Sequence, residues 1–276
     1  MNAIDKAIWY IESHFRENVS LEDLAEVAGV SRYHLSRMFC YAVGQPISRY
    51  LRQRRLSTAA IALAGGETDI LDLALSLGYG SHEAFSRAFK QHFCCTPEQL
   101  RRAGNLDHLQ LTEAIQMQQE NTTTLAEPRL EQLGELRLVG MSRHYTFDKM
   151  AEIPEQWQTF APSIPQLVND PSAATYGVIY NGQDDSFDYL TGVTLPAGER
   201  APANLVSLTV APQTYLVYWH AGHVATLRET CGAIWSEGLP ASGKTAVEAP
   251  WFERYGAEFD PMTGAGGLEV WIPVNA

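Results

Sequence analysis

The chain has 276 residues, of which 45% are hydrophobic and 19% charged, and its formal net charge at pH 7 is −12. This length and composition predict a folded protein with room for two hydrophobic cores and exclude a disordered or fibrous chain. No apolar run reaches the roughly 18 residues of a membrane-spanning helix, and the N-terminus enters an amphipathic pattern directly, without a signal peptide. We therefore expect a cytoplasmic protein with no membrane partner.

The negative charge is unevenly distributed along the chain. Residues 1–104 contain 12 Lys and Arg against 11 Asp and Glu, a net charge of +1, whereas residues 105–276 contain 8 against 21, a net charge of −13. The total charge thus describes solubility and long-range repulsion, not the local surface of the first part. The cysteines at positions 40, 94, 95 and 231 lack the spacing of zinc ligands, so no metal or cofactor is predicted.

The first third of the chain has the apolar spacing of helices. An opening helix is predicted over 4–15, a short helix follows between Ser20 and Gly29, and a long helix is predicted over 46–64. In the first half of the long helix, the candidates for phosphate contact are Arg49, Arg52, Arg54 and Arg55, with a solvated basic face as the equal alternative for each.

One motif occurs twice in this region, at 31–39 and again fifty positions later at 81–89. In each copy a serine is placed to cap a helix, an apolar residue follows four later, Ser-Arg comes next, and a phenylalanine closes the buried stripe. Each copy follows a shorter helical pattern that ends in a glycine turn, at Gly29 and Gly78. A single copy equally suits an ordinary helical hairpin, but two matched copies favour tandem helix-turn-helix units that bind double-stranded DNA.

The outward positions of the two repeated helices are the candidate DNA contacts. They are Arg32, Tyr33, Ser36 and Arg37 in the first helix and His82, Glu83, Ser86 and Arg87 in the second. Arg37 and Arg87 suit bidentate contact with guanine, whereas Glu83 either accepts from cytosine or repels a phosphate. We expect the first helix to read bases more strongly than the second.

Residues 1–104 resemble the DNA-binding domain of the AraC/XylS family of bacterial transcription regulators. The run ALSLGYGSHEAFSRAFK at 74–90, followed by Thr96 and Pro97, carries the resemblance. It implies that the eight outward residues occupy the base-contacting positions of the family. RNA polymerase is expected as a further partner.

Beyond residue 104 the helical pattern fades. Residues 105–127 are predicted to form a linker, partly structured, whose apolar residues allow a short helix before its polar run. Residues 128–276 change to strands separated by proline and glycine. The pattern predicts two β-α-β-β units, with strands at 136–147, 175–180, 187–195, 213–219, 251–258 and 267–274, a joining strand at 204–210, and helices at 153–167 and 224–237.

The predicted fold class is therefore multidomain: an all-α tandem helix-turn-helix domain at 1–104, and an α+β domain with duplicated β-α-β-β units at 128–276. Such a duplication leaves a cleft near its pseudo-twofold axis, which is a plausible ligand site.

The second domain resembles the GyrI-like effector-binding domain. The matching segments are YGVIYN at 176–181, YLTGV at 189–193, YWHAG at 218–222, IWSEGLP at 234–240, WFERY at 251–255 and LEVWIPV at 268–274. Together with the first domain this resembles a Rob-type architecture. The resemblance implies a small-molecule effector, with Glu253 facing the pocket.

An acid among aromatic rings has a clear physical use. The rings desolvate a hydrophobic or cationic ligand and offer cation–π contact, while the carboxylate discriminates against anions. Simple core packing is the equal alternative for each candidate wall residue, and a solvated strand carboxylate is the alternative for Glu253. The candidate walls are Tyr180, Tyr189, Trp219, Trp251, Tyr255 and Trp271.

The sequence thus predicts a sequence-specific bacterial transcription regulator, not an enzyme, controlled by a small hydrophobic or cationic effector. One alternative is a DNA-binding regulator whose C-terminal domain only contacts proteins. The other is a GyrI-like hydrolase that uses Glu253; His220 has no nucleophile at motif spacing beside it, which weighs against catalysis. The pattern specifies neither the oligomeric state nor activation against repression.

Overall fold

The structure, a computed structural model, describes residues 2–66, 69–115, 124–168, 170, 172–196 and 198–275. The chain divides into two compact units: Met1–Leu35 with Gln45–Gln119, and Ser36–Gly44 with Glu120–Ala276. The first unit is helical and the second is built on an antiparallel sheet with helices, so the predicted fold class is confirmed. The exact division into 1–104, 105–127 and 128–276 stays a prediction.

The first third of the chain forms seven helices among the described residues. Their bounds are α1 Ala3–His14, α2 Leu21–Ala28, α3 Arg32–Val43, α4 Ile47–Ala64, α5 Ile70–Ser76, α6 His82–Phe93 and α7 Pro97–Ala103. Ser20 caps α2 by accepting from the Asp23 backbone, and Asp69 caps α5. Gly29 and Gly78 adopt φ values of 73° and 77°, the left-handed conformation that each predicted turn requires.

The core of the first unit lies between α4, α5, α6 and α7. Leu56, Leu63, Phe85 and Phe89 are fully buried there. Part of the predicted linker packs on this core, because Leu106, Leu109 and Leu111 contact it. Residues 105–115 contain no helix, unlike the short helix that the sequence allows, and 116–123 lie outside the described residues.

Hydrogen bonds replace that helix as the anchor of the segment. The Thr112 amide donates to Ser57 Oγ at 2.8 Å, and the Ile115 amide donates to Tyr50 Oη at 3.0 Å. These bonds satisfy backbone groups that an unpaired linker would leave to water, so the segment belongs to the first unit.

The sheet of the second unit shows the predicted duplication. Its strand order is β1-β6-β8-β7-β3-β4-β2-β5, and every pairing is antiparallel. β2, β3 and β4 on one side of the centre correspond to β6, β7 and β8 on the other, and each half takes one additional edge strand. The bounds are β1 Arg129–Leu133, β2 Leu136–Thr146, β3 Thr175–Tyr180, β4 Ser186–Thr194, β5 Val206–Val210, β6 Gln213–His220, β7 Trp251–Tyr255 and β8 Leu268–Val274.

Each half of the sheet carries a helical segment, α8 at Ile153–Phe160 and α10 at Leu227–Ala233. The predicted helix 153–167 is interrupted after Phe160, since prolines at 162 and 165 remove backbone donors; it resumes as α9, Ile164–Leu167. The predicted helix 224–237 begins as a 3₁₀ turn at Val224–Thr226 and continues past α10 as a π-helical turn, Ile234–Gly238, before α11, Leu239–Ala241.

The two faces of the sheet carry different side chains, because neighbouring residues of a strand point to opposite sides. We call the face with Glu253 the carboxylate face. Phe160 of α8 packs there against Val139 and Val193. The opposite face carries a separate core that includes Tyr215, Phe252 and Trp271. No helix among the described residues is long and apolar enough to cross a membrane.

Candidate functional site

A buried carboxylate lies at the centre of the sheet. Glu253 is on β7, is 9% exposed, and pairs in register with Gly177 of β3. Its Oε2 accepts hydrogen bonds from Tyr189 Oη at 2.9 Å and from Tyr255 Oη at 2.8 Å. Trp157 of α8 in turn donates from Nε1 to Tyr189 Oη at 3.0 Å. The carboxylate is therefore held by two phenols, one of which is fixed by an indole.

The local sequence explains this arrangement. Glu253 and Tyr255 are two positions apart on β7 and so share a face, while pairing through β3 brings Tyr189 of β4 beside them. Gly177 lies between the strands that carry them. A Cβ at that position would overlap the Tyr189 hydroxyl and lie 2.7 Å from Glu253 Oε2, so the glycine leaves the space that the phenol and carboxylate fill.

Burial governs the electrostatics of this cluster. It raises the pKa of Glu253 above the ordinary value for a glutamate, although the hydrogen bonds from Tyr255 and Tyr189 act in the opposite direction. Burial and the nearby Glu253 charge together raise the pKa of both phenols well above the ordinary value. The phenols remain donors, and the carboxylate is a buried acceptor that a positive ligand would stabilise.

Aromatic rings surround the carboxylate. Trp157 meets Tyr255 edge-on with ring centroids 5.1 Å apart, and Phe259 meets Tyr255 at 4.7 Å. Trp251 lies two residues before Glu253 on the same strand face and is 1% exposed. These rings form an apolar wall beside the acid, which suits ligand binding rather than solvation of the acid.

The residues behind the Tyr189 and Glu253 side chains are also hydrogen-bonded. Gln156, fully buried on α8, accepts from Tyr145 Oη at 2.9 Å and donates to the backbone oxygens of Met141 and Tyr189. These bonds fix α8 to β2 and β4, and so fix Trp157 over Tyr189.

The structure places four of the seven predicted ligand-site residues on one face of the sheet: Glu253, Tyr189, Tyr255 and Trp251. Tyr180, Trp219 and Trp271 point to the opposite face, as strand alternation and register require. There Trp271 stacks on Phe252 and donates to Glu269, Tyr180 Oη lies 2.7 Å from Ser142 Oγ, and Trp219 is 37% exposed.

Sequence reasoning did not place Trp157 or Gly177 in the site. Trp157 reads as an ordinary core residue of an amphipathic helix, and the register that puts Gly177 opposite Glu253 is not visible in one sequence. The period of two from Glu253 was the available signal, since it selects Trp251 and Tyr255 for the same face and Phe252 for the other.

A segment of α3 also belongs to the second unit. In Ser36–Gly44, the Arg37 guanidinium carbon lies 5.5 Å from the ring centroid of Trp251 and 5.8 Å from that of Phe187. The Tyr41 ring meets Trp251 edge-on at 6.1 Å. Arg37 is 1% exposed, and the two aromatic faces help to stabilise its buried charge.

The predicted DNA contacts differ in exposure. In the first repeated helix Arg32 is exposed and pairs with Glu22 at 2.9 Å, whereas Tyr33, Ser36 and Arg37 are buried. In the second, Glu83 and Arg87 are exposed, and His82 and Ser86 are half-buried. Arg49 and Arg52 of α4 are exposed, whereas Arg54 pairs with Glu12 and Arg55 donates to backbone oxygens of Phe15 and Glu17. The role of each of these residues on DNA stays a prediction.

The family of helix-turn-helix domains matches residues 24–103, and the family described as integron-associated effector binding protein matches residues 129–274. The chain is 27% identical over 299 residues to the right origin-binding protein of Escherichia coli (strain K12), covering 98% of this chain and 97% of that protein. It is 25% identical over 285 residues to the transcriptional regulator Rob of Salmonella typhimurium, with the same coverage of each chain.

Shorter similarities cover each part separately. The regulatory protein SoxS of Salmonella typhimurium is 38% identical over 98 residues, which are 36% of this chain and 92% of that protein. The structure of SAV2435 bound to tetraphenylphosphonium is similar with a TM-score of 0.44 and 25% sequence identity, covering 55% of this chain and 95% of that one. Since the second family match spans more than half of the chain, the protein belongs to the integron-associated, GyrI-like effector-binding family and, with its AraC-type helix-turn-helix domain, is a DNA-binding transcription regulator.

Proposed function

We propose that this regulator is controlled by a lipophilic aromatic cation that binds at Glu253. The observation that carries the proposal is a carboxylate, 9% exposed, whose hydrogen bonds come from two phenols within an aromatic wall. RNA polymerase and a cytoplasmic location belong to the same proposal, since a regulator of this kind acts on promoter DNA.

The charge of the site supports a cation. Burying an ionised carboxylate costs several kcal/mol unless a positive or strongly polar group compensates it. A delocalised cation restores that compensation, and its low hydration makes its own transfer from water inexpensive. An anion of the same shape would add like-charge repulsion at low dielectric. The site therefore selects for charge as well as for apolar surface.

The alternative of a hydrolase has less support from this geometry. Cys231 is a buried thiol, and burial, together with the Glu253 charge, raises its pKa well above the ordinary value. A thiol in that state is a poor nucleophile. The relatives matched over the whole chain include an origin-binding protein and a transcriptional regulator, which favours binding without turnover.

Two probes of equal shape and opposite charge test the proposal. Calorimetry with tetraphenylphosphonium should show binding, and tetraphenylborate should not bind. Glu253→Gln should weaken cation binding at least tenfold, equivalent to about 1.4 kcal/mol, and reduce the preference between the probes. The matched control is Glu248→Gln, which neutralises an exposed carboxylate and should leave both results unchanged. Equal affinity for both probes in the unaltered protein would reject the cation site.

A further inference from the structure

The α3 segment in the second unit lies against the wall of the proposed ligand site. Ser36–Gly44 contributes a row of buried side chains, among which Arg37 is 1%, Cys40 3% and Tyr41 9% exposed. Arg37 and Tyr41 are one helical turn apart and both contact Trp251. Trp251 and Glu253 share a strand face, so the segment and the carboxylate adjoin one aromatic surface.

Tyr41 also lies within electrostatic reach of the carboxylate. Burial raises the pKa of this phenol well above its ordinary value, and the charges of Cys231 and Glu253 contribute in the same direction. The segment thus presents a cation on Trp251 and a buried phenol near Glu253. Positive charge and aromatic surface are also the two properties that the proposed site selects in a ligand.

The segment also contacts α10. The exposed Arg228 donates from Nη2 to the Cys40 backbone oxygen at 3.3 Å. Gly232 lies beneath the Tyr41 backbone, where a Cβ would lie 3.8 Å from the Tyr41 oxygen.

We propose that Ser36–Gly44 is a built-in competitor of the effector, with Arg37 as its cation. Binding of the effector expels the segment from the aromatic wall and exposes Ser36 and Arg37, two of the predicted DNA contacts. This inference rests on the proposed cation site at Glu253. Effector and segment cannot both occupy the wall, so the measured ligand affinity is reduced by the fraction of molecules in which the segment is bound.

Cys40 reports expulsion directly in the full-length protein. It is buried, and burial raises the pKa of its thiol to about 11, so N-ethylmaleimide should label it slowly. Saturating tetraphenylphosphonium should raise the labelling rate at least tenfold, measured by mass spectrometry of the tryptic peptide 38–49. Tetraphenylborate should leave the rate unchanged. Cys94 is exposed and provides an internal control whose labelling should not respond to either probe.

Two variants loosen the segment without altering Glu253. Arg228→Ala removes the bond to Cys40, and Tyr41→Ala removes the phenol; each should speed Cys40 labelling and tighten tetraphenylphosphonium binding, by about threefold and about tenfold respectively. Arg200→Ala, which removes an exposed arginine of the second unit, is the matched control and should change neither.

The outcomes separate the two proposals. If tetraphenylphosphonium binds all four proteins with one affinity while Cys40 stays protected, the competitor is rejected and the cation site stands. If neither the unaltered protein nor Tyr41→Ala binds the probe, the cation site is rejected, and the competitor with it. Faster labelling on binding, together with tighter binding by both loosened variants, supports the competitor.

Discussion

The absence of a side chain at Gly177 leaves the space that the site requires. A methyl group there would overlap the Tyr189 hydroxyl and crowd Glu253 Oε2. We expect Gly177→Ala to reduce tetraphenylphosphonium affinity at least tenfold and to destabilise the second unit by about 1–3 kcal/mol, the usual cost of overpacking a core. Urea unfolding and calorimetry measure the two effects. Gly134→Ala is the control, since a Cβ at Gly134 meets nothing within 4 Å; equal effects of the two substitutions would contradict this role.

The pH dependence of stability should reveal Glu253. Its folded pKa is raised by burial, so its contribution to stability is complete below the unfolded value near 4.5 and is lost as the pH rises through the folded pKa. Glu253→Gln stays neutral throughout. The stability of the variant relative to the unaltered protein should therefore increase as the pH rises above 4.5. Tryptophan fluorescence follows the second unit, which holds five of the six tryptophans, during urea unfolding.

Glu269 is a carboxylate whose pKa is shifted in the opposite direction from that of Glu253. Burial disfavours its charge, but Arg129, Trp271 and Arg254 outweigh that effect, and the pKa of this carboxyl is lowered. Its stabilising contribution is present above 4.5 and is lost as the pH falls through the folded pKa. The destabilisation caused by Glu269→Gln should disappear in acid. The stability of Glu253→Gln relative to the unaltered protein should instead be lowest in acid. Stability differences independent of pH for both variants would show that neither carboxylate is perturbed.

At the level of single residues, sequence reasoning found the chemistry of the site but only part of its geometry. Glu253 is predicted from the resemblance to GyrI-like effector-binding domains, and Tyr189 and Tyr255 are predicted as aromatic walls beside it. Tyr180 and Trp271 were grouped with them, although pairing between strands distant in sequence puts them on the other face. Register arises from long-range pairing and packing, and one sequence specifies those only weakly.

Among the helices of the first unit, Glu12 of α1 connects α1 to α4. Glu12 accepts from Arg54 Nη2 at 2.8 Å and from Arg54 Nε at 3.1 Å, and Tyr50 donates to the same carboxylate. The side chains of Glu12 and Arg54 are only 19% and 13% exposed, so the guanidinium would be left largely buried without its partner.

We expect Glu12→Gln to destabilise the first unit by about 2–4 kcal/mol, somewhat below the usual cost of breaking a fully buried pair. Glu26→Gln, on the exposed side of α2, should cost less than about 0.5 kcal/mol. Helical circular dichroism during urea unfolding measures both. If the two variants unfold at the same urea concentration, the Glu12 cluster does not stabilise the unit.

Helices were predicted most closely where their ends depend on local chemistry. Serine, aspartate and threonine caps and left-handed glycines act within a few residues, so the bounds of α2 and α5 follow from sequence. The conformation of segment 105–115 does not follow from sequence in this way, because its hydrogen bonds to Tyr50 and Ser57 join residues more than fifty positions apart. Tertiary contacts determine the structure of this segment, and the local sequence does not predict which residues make them.

Across the whole molecule, the charge distribution sets how the regulator approaches DNA. The second part of the chain carries −13 and repels the phosphates, and the first carries only +1. Affinity must therefore come from local groups of cations, and Arg49, Arg52 and Arg87 are exposed on the first unit.

Two substitutions separate the roles of these cations on a site identified by genome-wide mapping. Arg52→Ala should weaken cognate and scrambled DNA alike and lower the slope of log affinity against log salt by about 1, as expected for one lost phosphate contact. Arg87→Ala should cost about 1–3 kcal/mol on the cognate site and much less on scrambled DNA, because a base contact carries the discrimination. Arg200→Ala lies in the acidic part and should change neither slope nor discrimination. If Arg87→Ala weakens both DNAs equally, α6 contacts only the backbone, and base reading falls to α3.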